Sequence, residues 1–447
     1  MLTVDIENDI KTWREDLRHL SEELPKRHQN LFHSMTRAQF EQAVDSLYTR
    51  IPGLARHQVI VDLARLIALI GDGHSRLDLA GGPNTGFRRY PLRLYLYSDG
   101  LFVQAAGHEH AHAAGARVVA IGDTPIDQAY ARVRELIARD NEVWVQHVAP
   151  GLLTIPEVLH SLELIPDMER AALTIAKRTG EQATIELRPG ALDMPGKWID
   201  AADDTDAPMP LWLRAPENNF WFTHLPDANT LYVQYNSVRD KPEETVDEFF
   251  DKAFRYADAR RVDRFVLDIR RNGGGNGYLN QPIIHGLIKR DRINQPGKLF
   301  TIIGRGTYSA AMMLADDLEK HTRTLFVGEP TGASPNMYGD AEKIVLPNSK
   351  LEIWASALHW VYSEPRDNRP WIAPNIPAAL SSEDYRARRD PALEAILRYT
   401  PSPADSETVA FPDRLWREID ALPESDEIVR RLRYTATPVF TPAAEKE

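Results

Sequence analysis

The sequence predicts an α/β protein, and three observations carry that expectation. The first 72 residues repeat apolar side chains every three or four positions, residues 91–126 alternate with a period of two, and residues 231–327 run strand, helix, strand, helix. The last pattern implies a parallel sheet with right-handed crossovers. At 447 residues the chain has room for two or three domains. With 43% hydrophobic and 26% charged residues it has an ordinary globular composition and ample core. A formal net charge of −12 speaks against nucleic acid or an anionic membrane as partner, since both want a basic face. No apolar run approaches a membrane span. The acidic start, Met1 to Asp9, lacks a basic region followed by an apolar one, so no secretory signal is read and a cytoplasmic location is expected. The absence of cysteine removes disulfides, thiolate nucleophiles and cysteine metal sites.

Taken in order, residues 1–80 form a helical unit. Ile10, Trp13, Leu17, Leu20 and Leu24 mark one stripe, Phe40, Ala43 and Leu47 a second, and Val59, Leu63, Leu66, Ile67 and Ile70 a third. Asp72 between Gly71 and Gly73 ends the last helix and turns the chain into His74 and Ser75. Residues 81–188 hold β structure and helices. Pro91–Tyr97 and Leu101–Gln104 flank Ser98-Asp99-Gly100 as a hairpin, and 115–126 is a strand–turn–strand. Residues 127–138 and 154–165 have helical patterns, and Ala172–Ala176 with Ala183–Leu187 bracket a second hairpin. Residues 189–218, rich in Pro, Asp and Ala, read as a connecting loop or lid.

Residues 219–400 form the α/β core. Strands are expected at 231–235, 265–269, 299–303 and 324–327, with helices at 243–258, 279–290 and 309–320. Residues 401–447 are a Pro-rich, charged tail with a peripheral helix. Ligands of parallel sheets sit beyond the carboxyl ends of the strands. Two segments lie there: the glycine loop Asn272–Gly277 and the Gly304–Ser309 turn.

Ser309 stands at a strand–turn–helix junction, where a hydroxyl meets free backbone N–H groups. It reads either as a helix N-cap or as a nucleophile whose oxyanion those N–H groups would hold. The glycine loop is neither G-x-G-x-x-G nor a P-loop, so a nucleotide reading is poor. Its better use is an oxyanion hole, a Gly274 N–H working with the Ala310 N–H, and a plain turn is the other reading. A serine nucleophile needs a base. His74 is a candidate facing a cleft between units, or else a favourable charge at a helix C-terminus. His108, His110 and His112 share one face if extended, but an exposed polar loop is favoured over a metal site. His285, His321 and His359 fall in expected helices or strands and read as structural.

Five motifs in this order are similar to the C-terminal processing (tail-specific) serine peptidase family. They are Asp72-Gly-His-Ser75, Val266-Leu-Asp-Ile-Arg-Arg-Asn-Gly-Gly-Gly275, Thr307-Tyr-Ser-Ala-Ala311, Val327-Gly-Glu-Pro-Thr-Gly332, and Ile372–Pro377 with Asp390-Pro391. The resemblance covers roughly residues 5–400. It implies a crotonase-like (ClpP-like) catalytic core, a degenerate PDZ-like unit at 91–128, and Ser309 as nucleophile. The bacterial branch uses a serine–lysine dyad, but Ser334 stands where that lysine would fall. The chain is therefore more similar to the tricorn core protease and interphotoreceptor retinoid-binding protein branches. The tricorn-like pattern implies His74 as base and a glutamate, Glu364, to orient it; Asp367 is a rival for that place and Lys343 a substitute base. The resemblance thus leads to the expectation of a serine peptidase or esterase acting on a peptide or small acyl substrate, with no metal and no cofactor. The retinoid-binding branch leaves an apolar-ligand carrier or an acyl-transfer enzyme as alternatives.

Overall fold

The computed structural model describes residues 2–191 and 197–401. The expected helix of the C-terminal tail, and positions 192–196 of the expected connecting loop, lie outside the described residues.

Three helices, Leu2–Arg27, Arg37–Arg50 and Arg56–Ala68, open the chain. The second starts where Thr36 and Gln39 cap each other reciprocally, which satisfies two otherwise unpaired backbone donors. The predicted apolar stripes face inward: Leu17, Leu20, Leu24, Leu47, Leu63 and Ile67 are all buried.

The middle of the chain forms an antiparallel sheet in the order Leu92–Tyr97, Gly100–Gly107, Arg117–Ile121, Ala171–Ala176 and Gln182–Leu187. The two predicted hairpins are both present. The segment expected as a connecting loop is partly strand: Trp198–Asp200 pairs with Gly100–Gly107. The helices here are Ile126–Arg134, Glu142–Leu152 and Pro156–Ser161. Glu142–Leu152 was not expected. Its valines and Pro150 oppose helix by local propensity. Burial of Val143, Val145, Ala149 and Leu152 and the Asn141 cap override them. His108–Ala113 is a short 3-10 turn, and among the described residues no three His, Cys, Asp or Glu side chains gather as a metal site.

The core is a six-stranded sheet. Its order is Ile376–Pro377, Leu325–Gly328, Leu299–Ile303, Arg264–Asp268, Thr230–Tyr235 and Phe220–Leu225. All pairs are parallel except the last, where Phe220–Leu225 runs antiparallel. Every residue of Thr230–Tyr235 and Leu299–Ile303 is buried, as strands covered on both faces require. Helices Val246–Arg260, Gln281–Ile288 and Ala310–His321 pack one face, and Pro391–Arg398 packs the other. Asp390 caps that last helix through Leu393 N and grips Arg270 with both carboxylate oxygens, at 2.9 and 3.0 Å. No helix among the described residues is long and apolar enough to cross a membrane.

A third sheet positions the site. The hairpin Met337–Val345 and Glu352–Trp360 takes on a short third strand, Arg76–Leu77, just after the His74 turn. This hairpin is tied to the first helix by the buried Asp16, which accepts from Asn348 N and Ser349 N at 2.8 Å each. Replacing Asp16 with Ala strands those donors, so unfolding free energy should fall by about 2 kcal/mol. Urea denaturation of the variant and the parent measures this, and an unchanged midpoint would remove the tie from the account.

Candidate active site

Ser309 heads the helix Ala310–His321 with φ 53° and ψ −126°, a left-handed geometry that costs a non-glycine residue about 1–3 kcal/mol. Its side chain caps nothing and has no hydrogen-bond partner among the described residues. Of the two readings open in the sequence, the cap is thus not the hydroxyl's role. The turn is held from behind. Tyr308 N donates to Asn272 O at 3.0 Å, Thr307 Oγ1 donates to Ile269 O at 3.0 Å, and Asn280 Nδ2 donates to Ala310 O at 2.8 Å.

Gly274 lies directly beneath. A Cβ there would stand 2.6 Å from Ser309 Cβ and 2.8 Å from Ala310 N, and its φ is +101°. Only glycine permits that approach. The expected oxyanion role of Gly274 is corrected by its hydrogen bond: its N–H already donates to Asn272 Oδ1 at 2.9 Å. The neighbouring Gly275 and Ala310 carry N–H groups with no partner among the described residues, and both line the same cavity as Ser309.

That cavity encloses about 540 Å³ and is walled by His74, Ser309, Gly275, Met313 and Trp360. The sequence-predicted pair, His74 and Ser309, 235 positions apart, thus reaches one chamber. Ser309 and His74 are not hydrogen-bonded to each other here; such contacts often tighten only around substrate.

The orienting group differs from expectation. Glu364 makes no hydrogen bond to His74 or Ser309; its carbonyl accepts from Asn336 Nδ2 at 2.8 Å and its side chain lies outside the cavity wall. Asp367 is committed to Ser363 and Arg369. Lys343 pairs with Glu352 at 2.7 Å and sits over Trp354. Ser334 donates to Pro370 O, away from the site.

His74 Nδ1 instead meets the Tyr308 hydroxyl at 3.1 Å, with the two rings stacked at 4.7 Å. Gly73 makes this possible, because a Cβ there would lie 2.1 Å from that hydroxyl. Asp140 lies against the same hydroxyl, and its Oδ1 accepts from Gly73 N at 3.0 Å. Its Oδ2 is buried and makes no hydrogen bond of ordinary geometry among the described residues. No motif marked Asp140, and Tyr308 stood in one only as the neighbour of Ser309, since their meaning depends on a contact across the fold.

Below the turn, Asp72 is fully buried. It accepts from His28 Nε2 at 2.8 Å, His74 N at 2.9 Å, Ser75 N at 2.7 Å and Ser356 Oγ at 2.7 Å. Burial alone would raise its carboxyl, but these donors win and hold it down at about 2. Burial pushes the His74 imidazole down to about 4, against the pull of Asp72. It is therefore neutral at pH 7 and free to accept a proton. Burial and the nearby Asp72 charge push Asp140 up to about 7.

With this geometry in view, solved structures can be compared. A structure of mature CPAF complexed with lactacystin overlaps 87% of this chain and 97% of its own, at a TM-score of 0.60 and 11% identity. A CPAF mutant overlaps 88% and 99%, at 0.61 and 11%. The chain shares the fold of CPAF. The photosystem II D1 C-terminal processing protease overlaps 89% and 98%, at a TM-score of 0.37 and 16% identity. No protein-family model matches the chain, and no curated protein sequence matches it.

Two outcomes follow from the strain and the charges. Ser309→Gly should raise unfolding free energy by about 1 kcal/mol, because glycine adopts this backbone freely; a loss of stability in thermal melts would show that the turn is relaxed. In NMR titrations a carboxyl transition near 7 should disappear in Asp140→Asn, and the His74 ring signals should move only near pH 4. Movement of those ring signals in the ordinary imidazole range, about 6.5, would mean that His74 is solvated.

Proposed function

We propose that this chain is a serine-type hydrolase of the C-terminal processing peptidase kind, acting on peptide or ester carbonyls. The observation that carries this is Ser309 itself. It is held at φ 53° at a helix head with an uncommitted hydroxyl, in one cavity with a neutral, buried histidine. A strained backbone that performs no packing or capping task is what a pre-aimed nucleophile needs.

In this reading Ser309 Oγ attacks the carbonyl carbon and its proton passes to His74 Nε2. The tetrahedral oxyanion is held by the N–H groups of Gly275 and Ala310. His74 then protonates the leaving amine or alkoxide, and the carbon–heteroatom bond breaks to leave an acyl-serine. Water, deprotonated by the same imidazole, attacks that ester and releases Ser309. Tyr308 accepts from His74 Nδ1–H and so presents Nε2 to the serine, with Asp140 behind the phenol. The six-stranded unit takes the part of the crotonase-like core and the middle sheet that of a degenerate PDZ-like unit. Shared fold with CPAF and the five sequence motifs support this assignment.

A fluorophosphonate probe should label the protein once, as read by intact mass. Ser309→Ala should abolish labelling, and His74→Ala should slow it by about a hundredfold or more. Tyr308→Phe keeps the ring stack and should slow labelling by about tenfold. Labelling that persists in Ser309→Ala, or a wild type that never labels, overturns the proposal.

A further inference from the structure

The cavity that holds Ser309 is one-sided in charge. Its charged side chains are Asp317 and Asp340, and among the described residues no lysine or arginine lines it. His74 adds no charge at neutral pH, because burial pushes its imidazole down to about 4. Asp340 stands exposed at the wall and has no ion pair among the described residues.

Asp317 is placed by helical spacing. Ser309, Met313 and Asp317 follow one another at intervals of four along the helix Ala310–His321 and its head, so they form one stripe down the cavity wall. Eight residues of helix advance about 12 Å. Helical side chains lean back toward the N-terminus, which brings the carboxylate within a long side chain's reach of the serine.

Two acceptors in this wall lack a donor. Asp317 Oδ2 accepts from Tyr362 Oη at 2.7 Å, while its Oδ1 has no hydrogen bond and the residue has no ion pair among the described residues. The helix's own lysine, Lys320, is spent on Asp316 at 2.5 Å and on Tyr362 O at 2.6 Å. Burial raises the Asp317 carboxyl against the pull of Tyr362 and Lys320, as expected of a carboxylate short of counter-charge. Asn280 is 1% exposed and lines the same cavity. Its Nδ2 donates to Ala310 O at 2.8 Å, which assigns the other end as the carbonyl, and that Oδ1 is buried with no partner among the described residues. Buried acceptors are ordinarily paired, so this one points to a donor that arrives from outside.

Beside the serine and these acceptors the wall is apolar, from Met313, Met337 and Trp360. Thioethers and an indole cover a hydrocarbon stem, and an indole face also attracts a cation. The complement is a head group that only donates, carried on a long flexible stem, which describes lysine and arginine. A leucine or phenylalanine would cover Met313 but leave a carboxylate dehydrated and unpaired. A glutamate would meet like charge.

We propose that the Ser309 cavity selects a peptide residue with a lysine or arginine side chain, its head group received by Asp317 with Asn280 Oδ1 as the second acceptor. The proposal rests on the hydrolase reading of Ser309 and makes Asp317 the residue that sets side-chain preference.

The probes are three tripeptidyl diphenyl phosphonates that differ only in the last side chain: lysine, norleucine or glutamate. Each forms a phosphorus–oxygen bond to Ser309 and releases phenol, so intact mass follows the rate. The lysine probe should label about tenfold or more faster than the norleucine probe, and the glutamate probe should be slowest. Asp317→Asn keeps an acceptor for Tyr362, and in it the lysine-to-norleucine ratio should fall to about one with the melting temperature unchanged. Equal rates for lysine and norleucine in the wild type, a faster norleucine probe, or an undiminished ratio in Asp317→Asn overturns the preference, while labelling of Ser309 by a fluorophosphonate still stands for hydrolysis. A wild type that no phosphonate labels sinks the hydrolase reading instead. Calorimetry on Ser309→Ala then decides the pocket by itself: a blocked heptapeptide with a central lysine should bind about tenfold tighter than its norleucine counterpart, and equal affinity overturns the site.

Discussion

The buried carboxylate of Asp72 fixes where His74 stands. It collects four donors from three distant parts of the chain: the end of the first helix, the turn at His74 and Ser75, and the strand that carries Ser356. An ionised carboxylate out of water is stable only with such saturation. Each partner is therefore under the same demand, and the turn carrying His74 has one position that meets it. The imidazole sits above this charge and still stays neutral, because burial outweighs the attraction.

The Ser309 turn is organised by a different device. Asn272 accepts from Gly274 N with its side chain, donates to Tyr235 O, and takes Tyr308 N on its own carbonyl. One residue thus joins the glycine loop, the strand Thr230–Tyr235 and the residue before Ser309. Strain at Ser309 persists because the surrounding bonds over-determine it. The two devices meet at Tyr308, whose ring packs against His74 and whose backbone is gripped by Asn272.

The alternation of strand and helix was legible because the core strands are short, continuous apolar runs with helices of clear period between them. The chamber shared by Ser309 and His74 was anticipated from motif order. Other features had no local signal. Helix Glu142–Leu152 was hidden by its valines and proline, and with it Trp144 and His147. Phe220–Leu225 lay beside a segment taken for loop. The hairpin that ends at Trp360 has charged residues on its outer face, so its inward residues do not form a conspicuous run. Glu364 was proposed as the orienting acid by analogy of position; in three dimensions its backbone, not its carboxylate, is engaged. Gly274 was placed in the right loop but its N–H is consumed within it. Site chemistry of this kind is decided by tertiary contacts one or two residues wide, a scale below that of periodicity.

The strand Arg76–Leu77 is paired to Glu352–Trp360, late in the chain. During synthesis, the imidazole has no seat until the ribosome has passed that distant hairpin. A chain cut short between Ser309 and that hairpin therefore carries the serine while the strand that follows His74 still lacks its partner.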